Sequence, residues 1–178
     1  MVKNNFYPAV FAFLLLLVAQ SAFSQDYKTG IGLRGGWISG LTVKHFIKEG
    51  RALEGILSPG YGWGRYGGFQ VTGLYEIHKP AFAKDDVEGL FWFYGGGAHF
   101  GGGYHRDHWH YNNGAWGGYY HEHNYVAFGI DFIFGIEYKI EEVPITLGLD
   151  VKPFFELVTD RDAHHGFWDS AFSIRYVF

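Results

Sequence analysis

The chain contains no cysteine. That excludes a disulfide scaffold, a zinc ribbon, a lipoprotein anchor and any thiol nucleophile. It also lacks an excess of positive charge, with 14 Lys and Arg against 18 Asp and Glu and a formal charge of -4. A nucleic-acid partner is therefore not expected, because displacing phosphate counterions requires a basic surface. Beyond residue 24 no apolar run approaches the 18 or so residues of a membrane-crossing helix. What is present in quantity is aromatic residues (21%) and glycine (27 of 178 residues). Chains that fail to collapse are poor in aromatics, so this one folds.

The first 24 residues read as a secretory signal peptide. Met1 to Asn5 carry one lysine, Ala9 to Ala19 are uniformly apolar, and Ala22-Phe23-Ser24 places small residues at -3 and -1 before Gln25. The apolar core is too short to span a bilayer. Residues 25–178 are then one domain.

Within that domain the dominant signal is a period of two. From Tyr125 to Ile140 the even positions are Val126, Phe128, Ile130, Phe132, Phe134, Ile136 and Tyr138, while the odd ones include Ala127, Gly129, Asp131, Gly135, Glu137 and Lys139. Phe172, Ile174, Tyr176 and Phe178 repeat the pattern. Alternation of this kind is a strand whose two faces meet different surroundings. A soluble sandwich, or a lipocalin-like barrel, would turn the bulky face inward. Here, however, the bulky face is uniformly large and apolar, whereas the other is small with isolated charges. A narrow transmembrane barrel has that inverted distribution, with small and paired charged residues inside and lipid outside. The fold expected is all-β: an eight-stranded, antiparallel, up-and-down transmembrane β-barrel in the outer membrane, its strands near 29–37, 41–47, 52–58, 68–78, 89–100, 124–138, 145–157 and 169–178. The division at Ile38-Ser39-Gly40 is the least marked, because the apolar odd positions run through it without a phase change. One strand across 29–47 would far exceed the 9 to 11 or so residues a tilted strand needs to cross. Pro153 should mark a bulge or a rim of its strand.

Short charged connections at Lys48-Glu49-Gly50-Arg51 and Glu141-Glu142-Val143-Pro144 fit periplasmic turns. Residues 58–67, 101–123 and 159–168 fit longer outward loops. The segments Gly40-Leu41-Thr42-Val43-Lys44-His45-Phe46, Ala52-Leu53-Glu54-Gly55-Ile56-Leu57, Thr72-Gly73-Leu74-Tyr75-Glu76, Tyr94-Gly95-Gly96-Gly97-Ala98-His99 and Gly135-Ile136-Glu137-Tyr138 resemble a family of small, largely uncharacterised outer-membrane β-barrel proteins of Gram-negative bacteria. The resemblance implies a fold and a location and carries no shared reaction.

The phase assigns Arg34, Lys44, Lys152 and Arg175 to the lumen together with Glu54, Glu76, Asp131, Glu137, Asp150 and Glu156, and a salt-bridge network is expected there. A proton or ion path is the functional alternative. Histidine is the other resource: His99, His105, His108, His110, His121 and His123 fall in or beside the third outer loop. Asn113-Gly114 favours a two-residue hairpin turn. Such a turn pairs Asn112 with Ala115 and makes His108 and His121 diagonal neighbours. A divalent transition-metal site (Zn or Cu) formed by His108, His110, His121 and His123, or a haem-type one, is the sharper expectation. Solvated histidines are the plainer one, and Trp109, Tyr111, Trp116, Tyr119 and Tyr120 equally suit a carbohydrate or protein contact.

A barrel enzyme acting on lipid A through a His-x-Ser pair is disfavoured. No such pair occurs, and residues 25–178 hold only Ser39, Ser58, Ser170 and Ser173. The expected role is structural or surface-binding, not an open pore and not an enzyme. The expected partners are outer-membrane lipids and the barrel-assembly machinery, the expected state is a monomer, and no extracellular ligand can be named. Edman or mass analysis of protein recovered from cells is expected to find the N-terminus at or near Gln25; a chain retaining Met1 would contradict the signal peptide.

Overall fold

The computed structural model describes residues 27–59, 66–81, 89–106, 122–159 and 167–178. These form eight strands: β1 (Thr29–Gly36), β2 (Gly40–Lys48), β3 (Arg51–Ser58), β4 (Tyr66–Pro80), β5 (Leu90–Arg106), β6 (Glu122–Ile140), β7 (Ile145–Val158) and β8 (Trp168–Val177). Each pairs antiparallel with its sequence neighbours, and β1 pairs with β8, closing the barrel. The start of β1 and the C-terminal residue meet at one rim. There the Thr29 amide donates to the Phe178 carbonyl at 2.9 Å and the Phe178 amide to the Thr29 carbonyl at 2.8 Å. Closure leaves no strand edge unpaired around the ring.

The faces follow the expected phase. Ile130 is 60% exposed and Phe132 52%, whereas Asp131 between them is fully buried. Leu33 is 60% exposed beside Arg34 at 2%. Apolar side chains thus cover the outside and charged ones the inside, the reverse of a water-soluble barrel.

β1 and β2 are separate strands. Leu33 pairs with Leu41 and Ile31 with Val43, so outward residues on both strands have odd numbers. The phase therefore survives the turn, which is why no break shows in the alternation. Ser39 makes the turn: its hydroxyl donates to the Gly36 carbonyl at 2.8 Å and accepts from the Gly36 amide at 3.1 Å. Ile38 tucks inward, 1% exposed. At the opposite rim β2 and β3 are joined by Glu49 and Gly50, and Gly50 holds φ at 64°, a conformation glycine adopts without strain.

β5 and β6 run further than expected, to Arg106 and Glu122 instead of about 100 and 124. The run Gly101-Gly102-Gly103 reads as loop by composition, yet it pairs with Ala127, Val126 and Tyr125 on β6 and with Gln70, Phe69 and Gly68 on β4. Pro153 is at a rim and not a bulge: Pro153–Trp168 is the last pair between β7 and β8, and the β6–β7 register is the same on either side of it.

The interior is not only small and charged. Ile56, Leu74, Phe93 and Ile133 form an apolar cluster on the β3–β6 wall. Room for large inner groups comes from glycines on the partner strand. His99 pairs with Gly129 and Phe93 with Gly135. A Cβ on Gly129 would lie 2.1 Å from His99 Cε1, and one on Gly135 would lie 2.6 Å from Phe93 Cζ. Gly129→Ala is accordingly expected to cost about 1–3 kcal/mol by overpacking. Gly55→Ala, whose Cβ meets nothing within 4 Å, should be close to neutral in urea unfolding of the refolded barrel. Equal costs would show that the inner and outer faces are misassigned.

Candidate functional site

Two polar clusters fill the lumen. Near the rim that carries the termini, Lys44 on β2 and Glu54 on β3 are direct cross-strand partners. The Lys44 ammonium lies 2.8 Å from Glu76, 3.2 Å from Glu137 and 3.4 Å from Glu54, and so draws together carboxylates from β4, β6 and β3. Arg175 on β8 reaches the same acids, donating to Glu54 Oε1 at 2.5 Å and to Glu137 Oε2 at 3.1 Å. Its remaining donors go to Thr42 and Ser173, and the Thr42 hydroxyl in turn donates to Glu54. Gly148 leaves the guanidinium its space, since a Cβ there would come within 3.3 Å of Nη1.

Aromatic rings close this end. Tyr27, just ahead of β1, donates its hydroxyl to Glu137 Oε1 at 2.5 Å and meets Phe46 edge-on at 5.0 Å. Burial, reinforced by the neighbouring Glu137 carboxylate, raises the Tyr27 phenol well above its usual range, so it remains a donor. Phe46 packs on His78, His78 stacks on Phe93 at 4.9 Å, and the Lys44 ammonium sits 4.3 Å from the Phe93 ring centre.

Toward the other end, Arg34 on β1 bonds Asp150 on β7 at 2.5 Å and Asp169 on β8 at 2.6 Å, and also donates to the Ile38 carbonyl. Asp169 accepts from the Ile38 amide, which fixes the inward turn between β1 and β2. Beside this group, His99 on β5 has Nδ1 2.7 Å from Asp131 and Nε2 2.9 Å from Glu156, and Lys152 donates to the second Asp131 oxygen.

All ten charged residues assigned to the lumen by phase are thus inside and paired. Asp169 and His78 were overlooked although they share the inward phase of Arg175 and Glu76. Tyr27 precedes the first strand, where alternation carries no signal. His99, expected at the edge of the third outer loop, is a lumen residue within β5, and both of its ring nitrogens are bonded by carboxylates.

His108, His110 and His121 lie outside the described residues. His123 is in β6, its backbone paired with His105. That register is one residue off the one a two-residue Asn113-Gly114 turn imposes, in which His123 would face Tyr104. Among the described residues no group of three His, Asp or Glu side chains is placed to hold a metal ion.

No protein-family model and no curated protein matches the chain. Among solved structures, the chain is similar to the N-terminal β-barrel domain of Pseudomonas aeruginosa OprF. The TM-score is 0.54 at 11% identity, over 86% of this chain and 100% of that one. The likeness is one of fold.

Lys44→Met would strand Glu54, Glu76 and Glu137 around a single remaining cation. It is expected to cost about 3–5 kcal/mol in urea unfolding, as breaking one partner of a buried ion group does. Lys28→Met, at an exposed site outside the network, should stay within about 0.5 kcal/mol.

Proposed function

We propose that this chain is an outer-membrane barrel protein with a structural or surface-binding role, and that it neither conducts solutes nor catalyses a reaction. The observation that carries the reading is the inversion of burial: a continuous outward belt of Leu, Ile, Val and aromatic side chains around an interior of matched charges. Only a hydrocarbon solvent makes that arrangement favourable, because in water both faces would be on the wrong side. The rim carrying both termini and the turns at Glu49-Gly50 and Glu141–Pro144 faces the periplasm in this reading. The longer connections then face outward.

The argument against conduction is the filling of the lumen. Lys44, Arg175, Phe93, Ile56, Ile133 and Leu74 project into an eight-stranded ring, which has about enough width for its own side chains. Against catalysis stands the engagement of the lumen's bases and acids with one another. Surface binding is the remaining role for residues at the outward end, whose ligand the fold does not specify.

The protein is expected to fractionate with outer membranes and to migrate differently before and after boiling on a denaturing gel, since a closed barrel has no edge from which to unzip. Phe132→Arg or Ile174→Arg should cost about 2–4 kcal/mol of folding free energy if these residues lie near the bilayer midplane, while Glu142→Arg in an exposed turn should cost close to nothing. Recovery in the soluble periplasm without detergent, or equal tolerance of arginine at Phe132 and Glu142, would overturn the reading.

A further inference from the structure

Among the described residues, the outward face carries a cluster of cations at the rim where Thr29 meets Phe178. Lys48 on β2 pairs with Arg51 on β3, and Arg51 pairs with Ile77 on β4. Lys79, two residues on from Ile77, is the diagonal neighbour of Arg51 on the same face. All three side chains are exposed, and among the described residues none has a carboxylate partner. Glu49 lies in the turn beyond them.

Aromatic rings underlie this cluster. The Lys79 ammonium sits 5.5 Å from the Trp92 ring centre and 5.8 Å from that of Tyr94, and those two rings stack at 5.3 Å. Arg51 donates to the Tyr75 hydroxyl at 3.3 Å. Trp and Tyr rings with cations beside them mark the level of lipid headgroups. About 13 Å further along β3, four residues from Arg51, the wall is indented. There the outward Gly55 and Gly73 are direct partners, Ala98 follows on β5, and a Cβ on either glycine would meet nothing within 4 Å. Leu53, Leu57, Val71 and Tyr75 flank the indentation as exposed, bulky neighbours.

We propose that the outward face of β2–β4 is a binding site for an anionic phospholipid of the periplasmic leaflet. Its phosphodiester is held by Lys48, Arg51 and Lys79, and an acyl chain lies across Gly55 and Gly73. The proposal rests on the membrane reading above and adds a headgroup class to it. Charge complementarity argues for the occupant: three cations with no carboxylate partner among the described residues recognise a phosphate that carries net charge, and Arg offers two parallel donors to its oxygens. A zwitterionic lipid brings its own ammonium to the same place and gains little.

The test is native mass spectrometry of the refolded protein in detergent with equal amounts of phosphatidylglycerol and phosphatidylcholine, with and without excess inorganic phosphate. The parent is expected to retain phosphatidylglycerol at least about tenfold better, and each of K48Q, R51Q and K79Q to lower that retention about fivefold. Gly73→Leu should weaken both lipids without altering the preference. The difference in migration before and after boiling identifies any variant that fails to fold, and the single variants carry the test if a combined one does. Equal retention of the two lipids by a protein that inserts into vesicles overturns the site and leaves the membrane reading standing. Displacement by inorganic phosphate shows a free-anion site and also overturns the lipid assignment. Failure to insert into vesicles at all overturns both.

Discussion

Everything inside this barrel depends on charge compensation across a narrow lumen. The outward face is covered by apolar side chains, so a charged residue turned inward finds its counter-charge on other strands around the lumen. Lys44 answers this constraint with carboxylates from β3, β4 and β6, and Arg175 with two of the same carboxylates from β8. Two side chains thereby tie five strands to one another, and the ties run across the lumen instead of along the ladder. A register slip in any of those strands would turn its acid outward and leave both cations undercompensated. The network therefore contributes less to net stability than to the choice of one register. An apolar interior could match its stability but would not penalise slippage in the same way.

Glycine is the steric counterpart of that network. His99 can lie between Asp131 and Glu156 only because Gly129 opposite it has no side chain, and Phe93 depends on Gly135 in the same way. At these two levels a large inner group on one strand faces an absent side chain on the next, which keeps the narrow ring from overfilling. The glycine content that composition alone would assign to loops is in good part this packing requirement. The run Gly101-Gly102-Gly103 serves as ladder and not as turn.

This explains how much of the molecule was legible in the sequence. Phase is a local property, so the inward and outward assignments of Asp131, Glu137, Phe132 and Ile174 could be read directly, and the lumen charges with them. Partnership is not local. Nothing in the spacing says that Arg34 meets Asp169 across the closing seam, or that His99 meets Glu156. The boundary at Ile38-Ser39 was legible only through the length a strand needs to cross, since residues paired across that turn share parity and leave no phase mark. The end of β5 was misplaced because glycine signals a turn as readily as it signals close packing.

The two ends of the barrel differ in what the fold demands of them. At the rim with the termini the backbone of Thr29 and Phe178 is joined, Tyr27 bonds Glu137, and Phe46, His78 and Phe93 pack beneath. The inward residues at that rim are tied into one bonded and stacked group. At the opposite end β3 stops at Ser58 opposite Gln70, and β8 begins at Trp168 opposite Pro153. β5 and β6, by contrast, continue paired to Arg106 and Glu122, with β4 beside them to Tyr66. One side of the barrel thus rises above the ring as a continuous antiparallel wall. The ring closes below this extension, and the ion pairs among the described residues all lie below it. The extension is therefore a ladder of backbone pairs that stands beyond the lumen's charge network.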